Sequence, residues 1–271
     1  MKQTKFINFA DRRVEQRLAS GVVIRQDFRS STRFPFFDTG YEQWKYATNG
    51  GTLFLVQYLG RPYALTCQHI AQTYRWNELI VTSEKFGGKV AGLAHAAYAS
   101  NPQGHAVDTD VLDLVVIEFS EDVTCDFFKD PAYLIDERTV ATSKVGDQLH
   151  VSGALKTPSE ITETEIAPKF CLLEMIDDTP LSHDPTLRRC VGVFDKPEFS
   201  DVVGLSGSPV FNLTQSALCG IVVRGVMAEN ACTLYYVDMF DVGRLLAGVH
   251  ERSSSAFYVK DMLVPKGSIR T

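Results

Sequence analysis

From about residue 50 to residue 237 the chain is a succession of short apolar or alternating runs punctuated by Gly, Pro, Asn and Asp. The runs fall at 52–58, 63–66, 78–82, 112–119, 148–153, 170–176, 209–212, 217–223 and 233–237. Such runs are the length of strands, and turn signals at this frequency read as antiparallel sandwiches or barrels. The long helical patterns that would connect a parallel sheet are missing. At 271 residues the chain has room for one large domain or two small barrels sharing an interface.

Helical periodicity is confined to the ends. Residues 11–19 form a short charged stretch with Val14 and Leu18 on one face, and 238–249 align Met239, Val242, Leu245, Leu246 and Val249. The second reads as a terminal helix packed on the last barrel. Beyond it, residues 250–271 read as a tail with one apolar patch, Phe257-Tyr258-Val259. No internal repeat or low-complexity tract appears.

A net charge of −6 argues against a nucleic-acid partner, which would call for a basic stripe. The pairs Arg12-Arg13 and Arg188-Arg189 read as solvated surface. No stretch is long and apolar enough for a membrane helix, and the first twenty residues lack the apolar core of a secretory signal. The six cysteines form no CxxC pair and no zinc-type Cys/His spacing. Several sit in apolar runs, which reads as reduced, buried thiols in a reducing, cytoplasmic compartment.

Three segments carry chemistry. Leu65-Thr66-Cys67-Gln68-His69-Ile70 is an apolar strand ending in a turn that presents a histidine. Asp113-Leu114-Val115-Val116-Ile117 sets an aspartate at the mouth of an apolar strand. Gly204-Leu205-Ser206-Gly207-Ser208-Pro209-Val210-Phe211 places a serine in a glycine-bounded turn. A serine hydroxyl attacks a carbonyl only when a base takes its proton, and histidine titrates in the useful range. A carboxylate fixes the imidazole tautomer, and backbone N–H groups stabilise the oxyanion by roughly 3–4 kcal/mol each.

His, Asp and Ser in that order, each ending a β-element, resemble the trypsin-like (chymotrypsin-fold) serine peptidases. Gly51-Thr52-Leu53-Phe54-Leu55-Val56 is similar to the family's G-T-G-F-L-V strand, and Ala64-Leu65-Thr66 leading to His69 to its L-T-A-x-H turn. The GLSGSPVFN loop is closest to the bacterial glutamyl-endopeptidase-like branch, where G-N-S-G-S-P-V-F-N is usual. Lys144 to Gly153 looks like the opening strand of the second barrel in bacterial members, and Cys219 to Gly225 like the strand that pairs with substrate backbone. The resemblance spans about residues 50–247, roughly three-quarters of the chain.

It implies an all-β fold of two six-stranded antiparallel β-barrels with a C-terminal helix. Residues 1–47 would be an N-terminal extension, 48–140 the first barrel, 141–249 the second barrel with its helix, and 250–271 the tail. His69 would be the base, Asp113 its orienter and Ser206 the nucleophile, with the amides of Gly204 and Ser206 as the oxyanion hole. Asp113 is preferred to Asp108 and Asp110 because the apolar run begins directly after it. The function implied is an intracellular endopeptidase acting on protein or peptide substrates through an acyl-enzyme, without metal or cofactor.

Departures from the family pattern bear on control and specificity. Leu205 stands where trypsin-type zymogens carry the Asp that captures a new N-terminus, so activity is expected to be constitutive or switched by a protein activator. Ser200 and Asp201 are expected near the P1 pocket, with Val223, Arg224 and Gly225 along its edge. Asp201 is compatible with a basic P1 residue or with a solvated loop, and Val222, in place of a pocket His, disfavours Glu at P1. Two other functions remain open, a latent pseudoprotease acting as a binding module and a hydrolase of small esters. The nucleophile elbow of α/β hydrolases is rejected, because Ser208 replaces its second glycine and the histidine precedes the serine.

Overall fold

The first half of the chain builds its core from strands buried on both faces. A computed structural model describes residues 14–17, 23–26, 28–42, 46–72, 74–85, 87–92, 94–100, 113–119, 125–130, 132–155, 169–180, 187–193, 201–212, 214–252 and 256–258. β1 (Val14–Arg17) and β2 (Val23–Gln26) pair as an antiparallel hairpin. The helical reading of residues 11–19 is therefore corrected at 14–17, the rest of that span lying outside the described residues, because cross-strand pairing overrides a weak i, i+4 signal in so short a segment.

The strands that follow are β3 (Thr32–Arg33), β4 (Phe36–Asp38), β5 (Tyr46–Ala47), β6 (Leu53–Tyr58), β7 (Arg61–Cys67), β8 (Leu79–Glu84), β9 (Gly87–Gly92), β10 (Ala94–Ser100), β11 (Leu114–Phe119) and β12 (Tyr133–Ile135). They form two sheets over one core. One runs β12-β6-β7-β11-β10 with β3 beside β6, and the other runs β5-β4-β8-β9. Leu53–Val56 and Tyr63–Cys67 are buried without interruption, so these strands read as continuous apolar runs.

The segment before residue 48 takes part in this half. β3 pairs with β6 and β4 with β8, while the buried Phe28 ring stacks on Phe211 of the second half at 4.0 Å. Arg33 is fully buried, and its guanidinium donates to Thr82 O (3.0 Å), Ser83 O (3.2 Å) and Thr32 O (2.9 Å), with Asp130 at 3.6 Å. Burial pushes its pKa down to about 10, which leaves it charged at neutral pH.

The second half closes. β13 (Gln148–Leu155), β14 (Lys169–Asp177), β15 (Leu187–Val193), β16 (Pro209–Asn212), β17 (Ala217–Ala228) and β18 (Ala231–Asp238) form a barrel in the order β13-β14-β15-β18-β17-β16. Leu149, Val151, Leu173, Val210, Val222, Leu234 and Tyr236 fill it. At one end the buried Asp177 accepts hydrogen bonds from Ser143, from Tyr236 Oη (2.9 Å) and from Arg188 (2.9 Å). Arg188 is thus part of an interior network, which overturns its reading as solvated surface. Arg189 reaches Asp178 from the same strand, and Arg12-Arg13 lie outside the described residues.

One α-helix is present among the described residues, α1 (Met239–Glu251). Asp238 caps it, its carboxylate accepting from Phe240 N at 2.9 Å, and Arg252 ends it in the left-handed region at φ 57°. Met239, Val242, Leu245, Leu246 and Val249 are buried as the periodicity indicates, each stabilising by about 1.5–3 kcal/mol. The helix joins the halves, with Tyr63 Oη 3.1 Å from His250 Nδ1 and Arg252 forking onto Glu118 at 2.7 and 2.8 Å. β19 (Ala256–Tyr258) then adds to β10, so part of the tail continues the first sheet. No helix among the described residues is long and apolar enough to cross a membrane.

Candidate active site

Register places the first two residues of the site. β7 and β11 pair with Leu114 opposite Cys67, which sets Asp113 against the turn just past the end of β7. Gln68 N donates to Asp113 O (2.6 Å) and His69 N to Asp113 Oδ1 (3.0 Å). The same carboxylate meets His69 Nδ1 through Oδ2 at 2.5 Å. Asp113 therefore fixes both the main chain and the ring of His69, and a proton on Nδ1 leaves Nε2 as the acceptor. The His69 side chain is 43% exposed and that of Asp113 21%, so the imidazole faces the cleft while its partner sits behind it.

The serine loop is shaped by two residues with positive φ, Gly204 (105°) and Gly207 (88°). At Gly207 a Cβ would lie 1.9 Å from Thr52 O, so only glycine fits. Within the loop Leu205 N donates to Val202 O, Gly207 N to Val222 O and Ser208 N to Leu205 O. Among the described residues the amides of Gly204 and Ser206 meet no protein acceptor. The amides of Gly204 and Ser206 thus alternate with the engaged amides of Leu205 and Gly207 and are available to a ligand oxygen, which is the requirement of an oxyanion hole.

Thr52 clamps this loop to the first half. Its amide donates to Ser206 O (2.7 Å), and its hydroxyl donates to Gly204 O (3.0 Å). That hydroxyl also accepts from Ala154 N (2.9 Å), and Thr66 Oγ1 donates to Thr52 O (2.8 Å). Asn49 Nδ2 donates to Ile70 O at 3.0 Å and holds the histidine turn from the other side. Sequence reasoning did not reach these two. The only signal was a threonine followed by an apolar strand, a common pattern.

A cavity of about 610 Å³ collects His69, Asp113, Gly204, Ser206, Asp201, Val223, Arg224 and Gly225, with Asn49, Gly51 and Val202. Ser200 lies outside the described residues. The Ser206 hydroxyl donates to Val223 O at 3.3 Å. Asp201 is exposed on the rim, where its Oδ1 accepts from Val202 N (2.7 Å) and Val203 N (3.3 Å). Its place is that of a loop carboxylate. Arg224 lays its guanidinium 4.5 Å from the Tyr235 ring centroid.

Gly225 packs directly on the barrel core. A Cβ there would lie 2.5 Å from Leu234 Cδ2 and 2.9 Å from Val202 Cγ2, and both side chains belong to the buried barrel core. Cys67, also buried, donates its thiol to Val222 O at 3.3 Å. Cys67, His69 and Asp113 are the one set of three His, Cys, Asp or Glu residues, among those described, whose donor atoms lie close enough to share a metal ion.

Neither a family model nor a curated protein matches the sequence. Solved structures do match the fold. The scabies mite inactivated protease paralogue S-I1 aligns with a TM-score of 0.55 at 16% identity, over 84% of this chain and 98% of its own. Human heparin binding protein gives 0.57 at 10% identity, covering 84% and 94%. The scabies mite inactivated protease paralogue S-D1 gives 0.52 at 11%, covering 80% and 92%. The chain therefore has the chymotrypsin-like fold of serine-protease-type proteins.

Proposed function

We propose that this protein is a serine endopeptidase that cleaves protein substrates through an acyl-enzyme on Ser206. The observation that carries the reading is the cleft itself. An Asp113-held His69, the Ser206 hydroxyl and the available amides of Gly204 and Ser206 all border one cavity. In the reaction the Ser206 hydroxyl turns from Val223 O toward His69, whose Nε2 takes its proton as Oγ attacks the carbonyl. The two amides stabilise the tetrahedral oxyanion. His69 returns the proton to the leaving amine, and a water activated by His69 then releases the acid.

The close packing of Gly225 on the barrel core bears on specificity. Leu234 and Val202 lie directly against it, which supports a small, uncharged substrate side chain next to the scissile bond. The rim position of Asp201 weakens the basic-P1 alternative. The GLSGSPVFN loop supports a bacterial-type enzyme. Buried thiols at Cys171, Cys219 and Cys232, each pushed up to about 12 by burial, support a reducing, cytoplasmic setting. Leu205 in place of an activation aspartate supports constitutive activity or an activating partner.

A second reading is a non-catalytic protein-binding module. Two of the structural neighbours are named as inactivated proteases, and Ser206 Oγ points to Val223 O in this state. Incubation with a proteome-derived peptide library separates the two. The endopeptidase gives new termini that Ser206→Ala fails to produce. Identical product sets from wild type and Ser206→Ala would refute it.

A further inference from the structure

Cys67 stands two residues before the proposed base, at the end of β7, with its side chain directed into the seam between the halves. Its Sγ, one ring nitrogen of His69 and one carboxylate oxygen of Asp113 lie within 4.8 Å of one another. Thiolate, imidazole and carboxylate are the donors zinc takes, at about 2.3, 2.0–2.1 and 2.0–2.2 Å. A tetrahedral ion with such bonds spaces its ligand atoms roughly 3.3–3.7 Å apart, so Sγ has to move in by up to about 1.5 Å while His69 Nδ1 and Asp113 Oδ2, now 2.5 Å apart, open by about 1 Å. Asp113 also accepts from the His69 amide through Oδ1 (3.0 Å), so the two residues stay together when the ring bond is exchanged for the ion. His69 and Asp113 border the open cleft, which gives an ion its route and leaves a coordination position for water.

We propose that Cys67, His69 and Asp113 form a binding site for a zinc-class divalent cation, and that occupancy switches the cleft off. The inhibitory consequence rests on the Ser206–His69–Asp113 reading, whereas the binding does not. On binding, the Cys67 thiol loses its proton to solvent and Sγ bonds to the ion. The His69 proton moves through solvent from Nδ1 to Nε2, and Nδ1 takes the ion in place of the hydrogen bond to Asp113. One proton is released per ion bound. Nε2 then carries a hydrogen and cannot accept the proton of Ser206. The other cysteines do not offer this combination, because no second grouping of three donors exists among the described residues.

The test uses the full chain, stripped of metal by dialysis against a chelator. Zinc chloride is titrated against a chromophoric indicator, and cobalt(II) serves as a spectroscopic probe. Wild type should bind one zinc with release of one proton, show a thiolate-to-cobalt charge-transfer band, and unfold at a higher temperature with zinc. Cys67→Ala should lose the band and bind zinc roughly a hundredfold more weakly. Fluorophosphonate labelling of Ser206 should fall with zinc occupancy in wild type and recover with chelator, whereas labelled Cys67→Ala should ignore zinc. Unchanged zinc affinity in Cys67→Ala, or no cobalt–thiolate band in wild type, overturns the site. If stripped wild type does not label at all, the hydrolase reading fails while the stoichiometry and the band still decide the metal site.

Discussion

Replacing Thr52 by Val is the sharpest test of how the two halves are coupled. Valine keeps the shape and both backbone bonds of Thr52 and removes only the hydroxyl. That hydroxyl is buried, donates to Gly204 O (3.0 Å) and accepts from Ala154 N (2.9 Å) and Ser208 Oγ (3.2 Å). The substitution deprives a buried carbonyl and a buried amide of this partner, at about 1–3 kcal/mol each, so the loss should be about 2–6 kcal/mol. For a chain of this size that corresponds to roughly 10 °C in Tm, read by calorimetry. Release of the Gly204 carbonyl also frees the peptide that positions the oxyanion amides, so fluorophosphonate labelling should slow by at least about tenfold. Thr52→Ser, which keeps the hydroxyl, should retain the labelling rate. A Thr52→Val protein with unchanged Tm and unchanged labelling would refute the clamp.

Three further substitutions probe other links. Gly207→Ala forces a Cβ to within 1.9 Å of Thr52 O at a φ of 88°, so it should fail to fold or melt far below wild type; a normal melting temperature would show that the loop relaxes freely. Burial tends to raise the Asp177 carboxyl, but hydrogen bonds from Ser143, Thr179 and Arg188 outweigh it and hold the group below its usual 3.8. Its native value lies below its unfolded one, so it contributes full stability above the unfolded value and loses it as pH falls through the native one. Urea titrations below pH 4 should therefore show a steeper acid loss in wild type than in Asp177→Asn, and parallel curves would contradict this. Leu234→Ala should open the space beneath Gly225 and broaden cleavage to larger P1 residues at about 2–5 kcal/mol in stability. Wild-type cleavage after Arg or Phe would remove the basis for that expectation.

The candidate site was legible where a chemical group coincides with a strand end. His69, Asp113 and Ser206 each close or open an apolar run, and a strand's register carries such a residue to a fixed place. The terminal helix was legible for the same reason, because burial of Met239, Val242, Leu245, Leu246 and Val249 repeats with the helical period. What escaped was set by partners distant in sequence. β9 and β10 are rich in Gly and Ala and carry little intrinsic strand signal, yet β10 is held by β11 on one side and β19 on the other. Arg33 and Arg188 look like surface charges, but each lies in the interior because carbonyls or a carboxylate from other strands satisfy it. Thr52 was visible as a letter in a motif, and its role arises only when the serine loop is folded against it.

Stoichiometric fluorophosphonate labelling of the purified chain, located by peptide mass, tests the central claim most directly. An assembled nucleophile, base and oxyanion hole should give one label per chain on Ser206, abolished in Ser206→Ala and in His69→Ala. A wild-type protein that stays unlabelled while natively folded, or that labels at a residue other than Ser206, would contradict the account.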